Sequence, residues 1–503
     1  MSVYGGVRRD RVGIVLGPVV FVLLYAFVPI EMPPEALAVL AATLWIAIWW
    51  VAEAVPIAVT ALLPIVLFPL TGVTSVAEST TPYADPIVFL LLGGFLIALS
   101  VERWNLHERL ALLVISAVGF SSKRLLLGFM AATGFLSMWV SNTATAMMMV
   151  PIGAAVILQL SELSDAEQSY LPPTDEDEQI IRSIDHDPET LPATNFGLSI
   201  MLGIAYGASI GGATTLIGSP PNAIFAGVAE STLDISIGFF EWMLFTAPVS
   251  VVFLLIAWLF LCYTLPAETG TIDGGSRVIE TRRSDLGTMS TGERRTLFVF
   301  ALVVTGWLVR PFLLEPLIPS ISDTIIAIVG AILLFVIPVD REDGTYLLDW
   351  KSTARVPWGV LILIGAGFSI ANAFQTSELD RWIADLVGAV SGVSFLVVLV
   401  LVATVVVFLT EVNSNTTTAS VFIPLMIGVG YALGVPPLSL MAITALAASY
   451  AFMLPVATPP NAIVFGSGYV TIPQMATVGF WLNLLGIVIA TGATYLWLPI
   501  VLA

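Results

Sequence analysis

Long apolar stretches, separated by short polar turns, run through almost the whole chain. Residues 12–30, 238–261 and 297–314 are examples, and each is about as long as a helix must be to cross the hydrocarbon core of a bilayer. Strands of a membrane barrel would instead alternate apolar and polar residues. The pattern therefore predicts an all-α, polytopic membrane protein.

Two long segments interrupt this pattern with polar residues. Residues 162–195 contain the acidic run Asp175–Glu178, and we predict a soluble insertion there. Residues 265–294 contain Arg277, Arg282 and Arg283. Because positive residues near helix ends favour the cytoplasmic side, we predict that this second segment is a cytoplasmic linker.

Two polar motifs occur twice, which indicates an internal repeat. Ser141–Thr143 recurs as Ser414–Thr416, and Ser219–Asn222 recurs as Thr458–Asn461. The two copies of the second motif are closer together in the sequence than those of the first. The difference between the two spacings equals the length of the acidic segment 162–195. The first half has therefore gained an insertion between its two motifs.

The repeat divides the chain into a leading helix (1–35), a first repeat (36–264), the linker (265–294) and a second repeat (295–503). Each repeat has room for roughly five spans and one hairpin. An odd number of spans inverts the second copy, as in many secondary transporters. Three arginines among the first eleven residues predict a cytoplasmic N-terminus, and the C-terminus then lies outside.

The motifs break apolar helices at membrane depth, where every backbone group needs a partner. A proline pair ends a helix because it lacks N–H donors. The exposed N–H groups at a helix start suit carboxylates, whereas carbonyl, hydroxyl and amide oxygens suit sodium. A purely structural capping role is the alternative, and the duplication of both motifs in register argues against it.

A second class of function, intramembrane hydrolysis, is raised by Gly207–Gly211, which matches a nucleophile-elbow pattern around Ser209. The two histidines, His107 and His186, fall at a helix end and in the acidic insertion, so a base for Ser209 is hard to supply. Glycines at 203, 207 and 211 more simply predict close helix packing. We therefore predict that the protein is not an enzyme.

With residues 49–56 (Trp-Trp-Val-Ala-Glu-Ala-Val-Pro) and 454–463, the two Ser-Asn-Thr motifs resemble the divalent anion/sodium symporter family. Members of that family carry dicarboxylates, citrate or sulfate with sodium. The resemblance covers nearly the whole chain. It implies eleven transmembrane helices and two re-entrant hairpins, a homodimer in the bilayer, and an elevator-type transport movement.

The resemblance also implies individual site residues, all of them at the repeated motifs. The substrate carboxylates are expected at Asn142, Thr143, Ser219, Asn415, Thr416 and Thr458. Sodium is expected at two or more sites, one formed by Ser137, Ser141, Asn142 and Gly218, and one by Thr410, Asn413, Asn415 and Ala457. Asn413 departs from the small residue that is common in the family, which is harmless if only its carbonyl binds sodium.

Composition adds three points. Only 11% of the residues are charged, as expected in a bilayer, and nothing points to nucleic acid. The 36 acidic residues against 18 basic ones predict a halophilic source, where salt screens the repulsion between carboxylates. Glu53 and Glu411 are carboxylates in apolar stretches, which makes both functional candidates. Glu411 could orient the loop at Ser414 or carry a proton, whereas Glu53, near a helix end, could equally have an interfacial structural role.

The function predicted from the sequence is sodium-coupled symport of a small di- or tricarboxylate such as succinate, malate, fumarate or citrate, across the plasma (inner) membrane. Two alternatives stay open. One is a sodium-independent dicarboxylate exchanger, and the other is a symporter of sulfate or another inorganic anion.

Overall fold

A computed structural model describes residues 3–27, 32–168, 194–266, 273–388 and 392–502. The first half forms α1 (Val3–Phe27), α2 (Pro34–Ala52), α3 (Ile57–Thr60), α4 (Leu63–Leu70), α5 (Val76–Thr80), α6 (Pro86–Arg103), α7 (Leu106–Val118), α8 (Ser122–Ser137), α9 (Asn142–Gln168), α10 (Asn195–Gly212), α11 (Pro220–Leu233) and α12 (Phe239–Thr264). A 3₁₀ turn, Thr81–Ala84, precedes α6.

The rest of the chain forms α13 (Asp273–Asp285), α14 (Thr291–Val309), α15 (Glu315–Leu317), α16 (Asp323–Val336), α17 (Trp358–Thr376), α18 (Leu379–Gly388), α19 (Phe395–Thr410), α20 (Asn415–Leu433), α21 (Pro437–Ser449), α22 (Pro459–Gly466), α23 (Ile472–Gly492) and α24 (Leu498–Val501). π-Helical turns at Arg310–Leu314 and Ala493–Trp497 follow α14 and α23, and a 3₁₀ helix spans Trp350–Arg355.

Within the described residues, eight helical segments are long and apolar enough to cross a membrane, and five shorter apolar helices accompany them. The predicted polytopic helical class is confirmed. One small exception is an antiparallel pair of strands, β1 (Pro338–Asp340) and β2 (Thr345–Tyr346). Short turns join α8 to α9 at residues 138–141 and α19 to α20 at residues 411–414, and each of these two pairs is called a hairpin below.

Helix ends in the two halves follow the same spacings as the motifs. The starts and the ends of α8 and α19 are separated by the same number of residues as the two Ser-Asn-Thr motifs, and so are the starts of α9 and α20. The helices α11 and α22 begin at the spacing of the Pro-Pro-Asn motifs, each with the proline pair as its first two residues. Proline is favoured there because the first N–H groups of a helix have no intrahelical partner.

The predicted insertion, 162–195, begins as a helix. Residues 162–168 continue α9, since glutamate, leucine and alanine there are good helix formers. Asn195 is the first residue of α10, whose N-cap residue Thr194 accepts a hydrogen bond from the Gly197 N–H at 3.0 Å. The acidic run at 175–178 lies outside the described residues.

The predicted linker, 265–294, is partly helical. It contains the helix α13, which contacts α7 and α9, and its residues 291–294 belong to α14. The partly buried Arg109 of α7 pairs with the buried Glu293 at 2.7 Å and donates to the Leu286 carbonyl at 3.0 Å. The end of the linker is therefore attached to α7.

The glycines of α10 allow the close packing that the sequence predicts. A side chain at Gly207 would meet the Met130 carbonyl, and one at Gly211 would meet the Gly134 backbone. Both partners belong to α8, so the first hairpin and the helix before the first break share one close interface.

Three helices meet at Asp323, the first residue of α16. Its carboxylate accepts a hydrogen bond from the Phe239 N–H at 2.7 Å and pairs with Arg310 Nε at 2.7 Å. Trp307 Nε1 donates to the Asp323 carbonyl at 2.9 Å. These contacts join the start of α12 to the end of α14 and the start of α16.

Replacing Asp323 with alanine should destabilise the protein by about 3–5 kcal/mol, because Arg310 loses its most buried partner. The control is Glu315→Ala, which removes the more exposed partner of the same arginine, 2.8 Å away, and should cost about 1 kcal/mol or less. Thermal unfolding in detergent, followed by gel filtration, measures both. Equal losses would show that burial does not govern this cluster.

Candidate ion and substrate site

The first hairpin tip consists of residues 138–141, between α8 and α9. Ser137 ends α8, and its hydroxyl donates a short hydrogen bond to Asn142 Oδ1 at the start of α9. Ser141 Oγ accepts from the Ala144 N–H at 3.2 Å, which caps α9. Three predicted sodium ligands thus lie around one turn, and Thr143 is the next residue of the helix.

The first helix break, residues 213–219 between α10 and α11, lies against this tip. A side chain at Gly212 would clash with Asn142 Oδ1, and one at Gly218 would lie 3.1 Å from the Ser137 carbonyl. Glycine at both positions therefore lets tip oxygens approach the break. Ser219, the N-cap residue of α11, has extended backbone angles and is 3% exposed.

The second half repeats this arrangement. Thr410 ends α19 and donates to Asn415 Oδ1, the first residue of α20, at 2.8 Å. The Asn413 side chain accepts from the Ser414 N–H at 3.0 Å, which leaves the Asn413 carbonyl as its expected ligand atom. Thr416 is the second residue of α20.

The second break, residues 450–458, lies between α21 and α22. Thr458 precedes the proline pair of α22 with φ −142° and ψ 148°, close to the φ −144° and ψ 138° of Ser219. Ala457 and Thr458 are each 3% exposed. The predicted site residues all lie at the two tips and the two breaks.

Glu411 joins the second tip to the second break. Its carboxylate is buried and accepts from the backbone N–H groups of Phe452, Met453 and Leu454 at 2.7–3.0 Å, and from Asn483 Nδ2 at 2.7 Å. Of the two roles open for this residue, orienting the loop or carrying a proton, the contacts favour the first. No motif or spacing in the sequence pointed to Asn483.

The first half makes the equivalent connection by different means. Met138 occupies the position equivalent to Glu411, and its carbonyl accepts from the Thr215 hydroxyl at 2.5 Å. Thr215 is equivalent to Leu454. The same two positions thus touch in both halves, through a neutral hydroxyl in one and a carboxylate in the other.

The helices of the two halves cross-pack at these motifs. The helix α9 contacts α22, and α11 contacts α20, so each tip helix lies against the Pro-Pro-Asn helix of the other half. Tyr206 of α10 donates to the Phe452 carbonyl in the second break at 3.3 Å. The four motifs therefore belong to one connected region.

Two other candidates from the sequence are Ser209 and Glu53. Ser209 Oγ is buried, and no hydrogen-bond partner for it occurs in the described part of the chain. Glu53 is exposed and ends α2 with a left-handed backbone, φ 49°. Its position fits the interfacial structural role that the sequence left open.

Comparison with known proteins decides the family. Residues 11–503 match the model described as the sodium:sulfate symporter transmembrane region. The chain belongs to this family, the divalent anion/sodium symporters. The match confirms the resemblance, and it confirms a membrane transporter rather than a hydrolase.

Relatives within the divalent anion/sodium symporter family include a protein of Staphylococcus saprophyticus named sodium-dependent dicarboxylate transporter SdcS. It is 42% identical over 98% of this chain and 92% of its own. A protein of the same name in Staphylococcus aureus has the same identity and coverage. Among solved structures, the Alcanivorax borkumensis YdaH transporter is similar in fold, with a TM-score of 0.54, 15% identity, and 85% and 88% of the two chains covered.

Proposed function

We propose that this protein is a sodium-coupled symporter of small dicarboxylates. The observation that carries the proposal is the duplicated contact between tip and break, in a chain 42% identical to proteins named sodium-dependent dicarboxylate transporter. Succinate, malate and fumarate fit this class, and citrate is the larger acid to be tested beside them.

The charge around the motifs requires a cation with the substrate. Between residues 125 and 276 the only arginine or lysine in the sequence is Arg182, and after Arg381 there is none. Helix N-termini supply about half a positive charge each, which balances only part of the desolvation cost of a dianion. Sodium bound beside the substrate supplies the remaining positive charge.

Each group of residues then has a distinct role. The side chains of Asn142, Thr143, Asn415 and Thr416, with the hydroxyls of Ser219 and Thr458, would hold the two carboxylates at the helix starts. The hydroxyls of Ser137, Ser141 and Thr410, the amide oxygens of Asn142 and Asn415, and the carbonyls of Gly218, Asn413 and Ala457 would hold sodium at two or more sites.

The basic side chains support the predicted orientation. Arg103 pairs with Asp349 at 2.5 Å and Arg109 pairs with Glu293, which brings the α6–α7 junction and the starts of α14 and the 3₁₀ helix to one end of the molecule. Positive residues favour the cytoplasmic side. Arg282 pairs with Glu108 of α7 and Arg355 pairs with Glu102 of α6, so these two arginines lie at the same end.

Contacts of α1 support an N-terminus at this basic end. Gly13 lies against Ala52, the last residue of α2, and against Ala54, and Ala58 lies against Gly359 at the start of α17. Trp497 instead donates to the Leu244 carbonyl near the start of α12, at the opposite end. These contacts support a cytoplasmic N-terminus and an external C-terminal region as part of the proposal.

The cross-packed motifs also support two inverted repeats whose tips and breaks move together as one transport domain against a fixed scaffold, by an elevator movement within a homodimer in the plasma membrane. The domain limits of the proposal are 1–35, 36–264 with the insertion 162–195, the linker 265–294, and the second repeat 295–503. Both the dimer and the movement belong to the proposal.

Uptake into proteoliposomes tests the function and its two alternatives. Labelled succinate, citrate and sulfate are offered with and without an inward sodium gradient, in high potassium chloride because the acidic composition predicts a halophile. Sodium-driven succinate uptake into empty vesicles is expected. Uptake only into vesicles preloaded with dicarboxylate would indicate an exchanger, and preference for sulfate would indicate the inorganic anion symporter.

A further inference from the structure

The asparagine of the first Pro-Pro-Asn motif holds the first break from the inside. Asn222 is fully buried, and its Nδ2 donates to the Gly212 carbonyl at 3.0 Å and to the Thr215 carbonyl at 2.7 Å. These carbonyls belong to the end of α10 and to the break itself. The side chain therefore bridges the unwound backbone.

Asn461 makes the same bridge in the second half. It is also fully buried, and its Nδ2 donates to the Ala451 carbonyl at 3.2 Å and to the Leu454 carbonyl at 3.0 Å. The donor and both acceptors occupy the positions equivalent to those of the first half, at the spacing of the Pro-Pro-Asn motifs. Two independent copies of one arrangement are unlike a chance contact.

Both bridges end on the turn that presents an expected sodium ligand. The Thr215 carbonyl, held by Asn222, also accepts from the Gly218 N–H at 3.3 Å. The Leu454 carbonyl, held by Asn461, also accepts from the Ala457 N–H at 3.2 Å. Each asparagine thus fixes the turn whose last carbonyl faces the cation site in our proposal.

The amide oxygens point to the same role. Oδ1 of Asn222 and Oδ1 of Asn461 are buried, and the described residues offer neither a hydrogen-bond donor. Reversing either amide would place an oxygen against two carbonyls, so the amide orientation is determined. A buried acceptor without a hydrogen-bond donor is unfavourable. The side-chain hydrogen bonds described for each asparagine are those that it donates to the break.

We propose that Asn222 and Asn461 are positioning residues that set the geometry of the two sodium sites without touching substrate. This inference rests on the proposed sodium coupling. Partners of this kind, which orient ligands of a metal ion, typically change ion affinity about 10- to 100-fold when they are removed. The expected substrate contacts come from other residues, whose geometry does not change when the asparagine is replaced.

The test measures the melting temperature of the purified protein against sodium concentration, with potassium holding ionic strength constant and no dicarboxylate present. The variants are Asn222→Ala and Asn461→Ala, and Asn222→Leu and Asn461→Leu, which keep side-chain volume but cannot donate. Controls are Ser199→Ala and Thr444→Val, because both hydroxyls are buried and bond within their own helices. Succinate binding at saturating sodium is measured for every variant.

We expect each asparagine variant to raise the half-maximal sodium concentration about tenfold or more, with succinate affinity at saturating sodium within about threefold of wild type. The controls keep the wild-type sodium response. A lower melting temperature with an unchanged sodium midpoint, or failure of all four variants to fold while both controls fold, would overturn the inference. A wild-type protein indifferent to sodium would instead overturn the proposed function.

Discussion

Replacing Asn142 or Asn415 with alanine should lower sodium-driven succinate uptake about 100-fold or more while the protein remains folded. Each side chain starts a tip helix and accepts a hydrogen bond from the residue that ends the preceding helix, Ser137 or Thr410. In our proposal, each also contacts both sodium and a substrate carboxylate. Loss of a hydrogen bond to a charged group costs about 1.5–3 kcal/mol, and here two such contacts disappear together.

Asn372→Ala is the matched control, since Asn372 is a partly buried asparagine of α17 outside both tips. Gel filtration in detergent should give the wild-type profile for all three variants. The binding assignment fails if either tip variant transports at the wild-type rate, or if the control loses transport to the same extent.

Changing Glu411 should have the second largest effect, although we expect it to touch neither ion nor substrate. Glu411→Ala removes the acceptor of three backbone N–H groups and of Asn483, so four buried or partly buried donors lose a charged partner. In Glu411→Gln, the side chain keeps one oxygen as an acceptor, but its NH₂ group would face a backbone N–H. We expect about 2–3 kcal/mol less stability for the glutamine variant, and a larger loss for alanine.

Met138→Leu provides the matched control at the equivalent position of the first half, where the described hydrogen bond to the break uses the backbone carbonyl. This change should leave stability within about 1 kcal/mol, as expected of a volume-conserving apolar exchange. Thermal unfolding and uptake are measured together. A glutamine variant as stable and as active as wild type would show that the carboxylate does not hold the second break.

The motifs and their spacing were predictable because their signals are local. A proline pair stops a helix wherever it occurs, and a Ser-Asn-Thr triplet inside an apolar stretch is visible without knowing the fold. Equivalent helix ends, such as those of α8 and α19, follow the same two constant spacings as the copies of the motifs.

Contacts between distant residues and helices of ambiguous composition could not be predicted in this way. Glu411 meets Asn483 across 72 positions, and no local pattern marks that partner. The close approach of Asn142 to Gly212 also depends on tertiary packing. Residues 162–168 are polar enough to be interpreted as a loop, yet they continue α9, because helix propensity does not require apolar residues.

The central claim is that sodium and dicarboxylate bind to one connected site and stabilise each other there. Succinate binding to the purified protein is titrated at several sodium concentrations, with potassium or choline keeping ionic strength fixed. Succinate affinity should rise with sodium, and sodium affinity should rise with succinate by the same factor, because linkage between two ligands is reciprocal. A succinate affinity that is indifferent to sodium would contradict the symporter assignment.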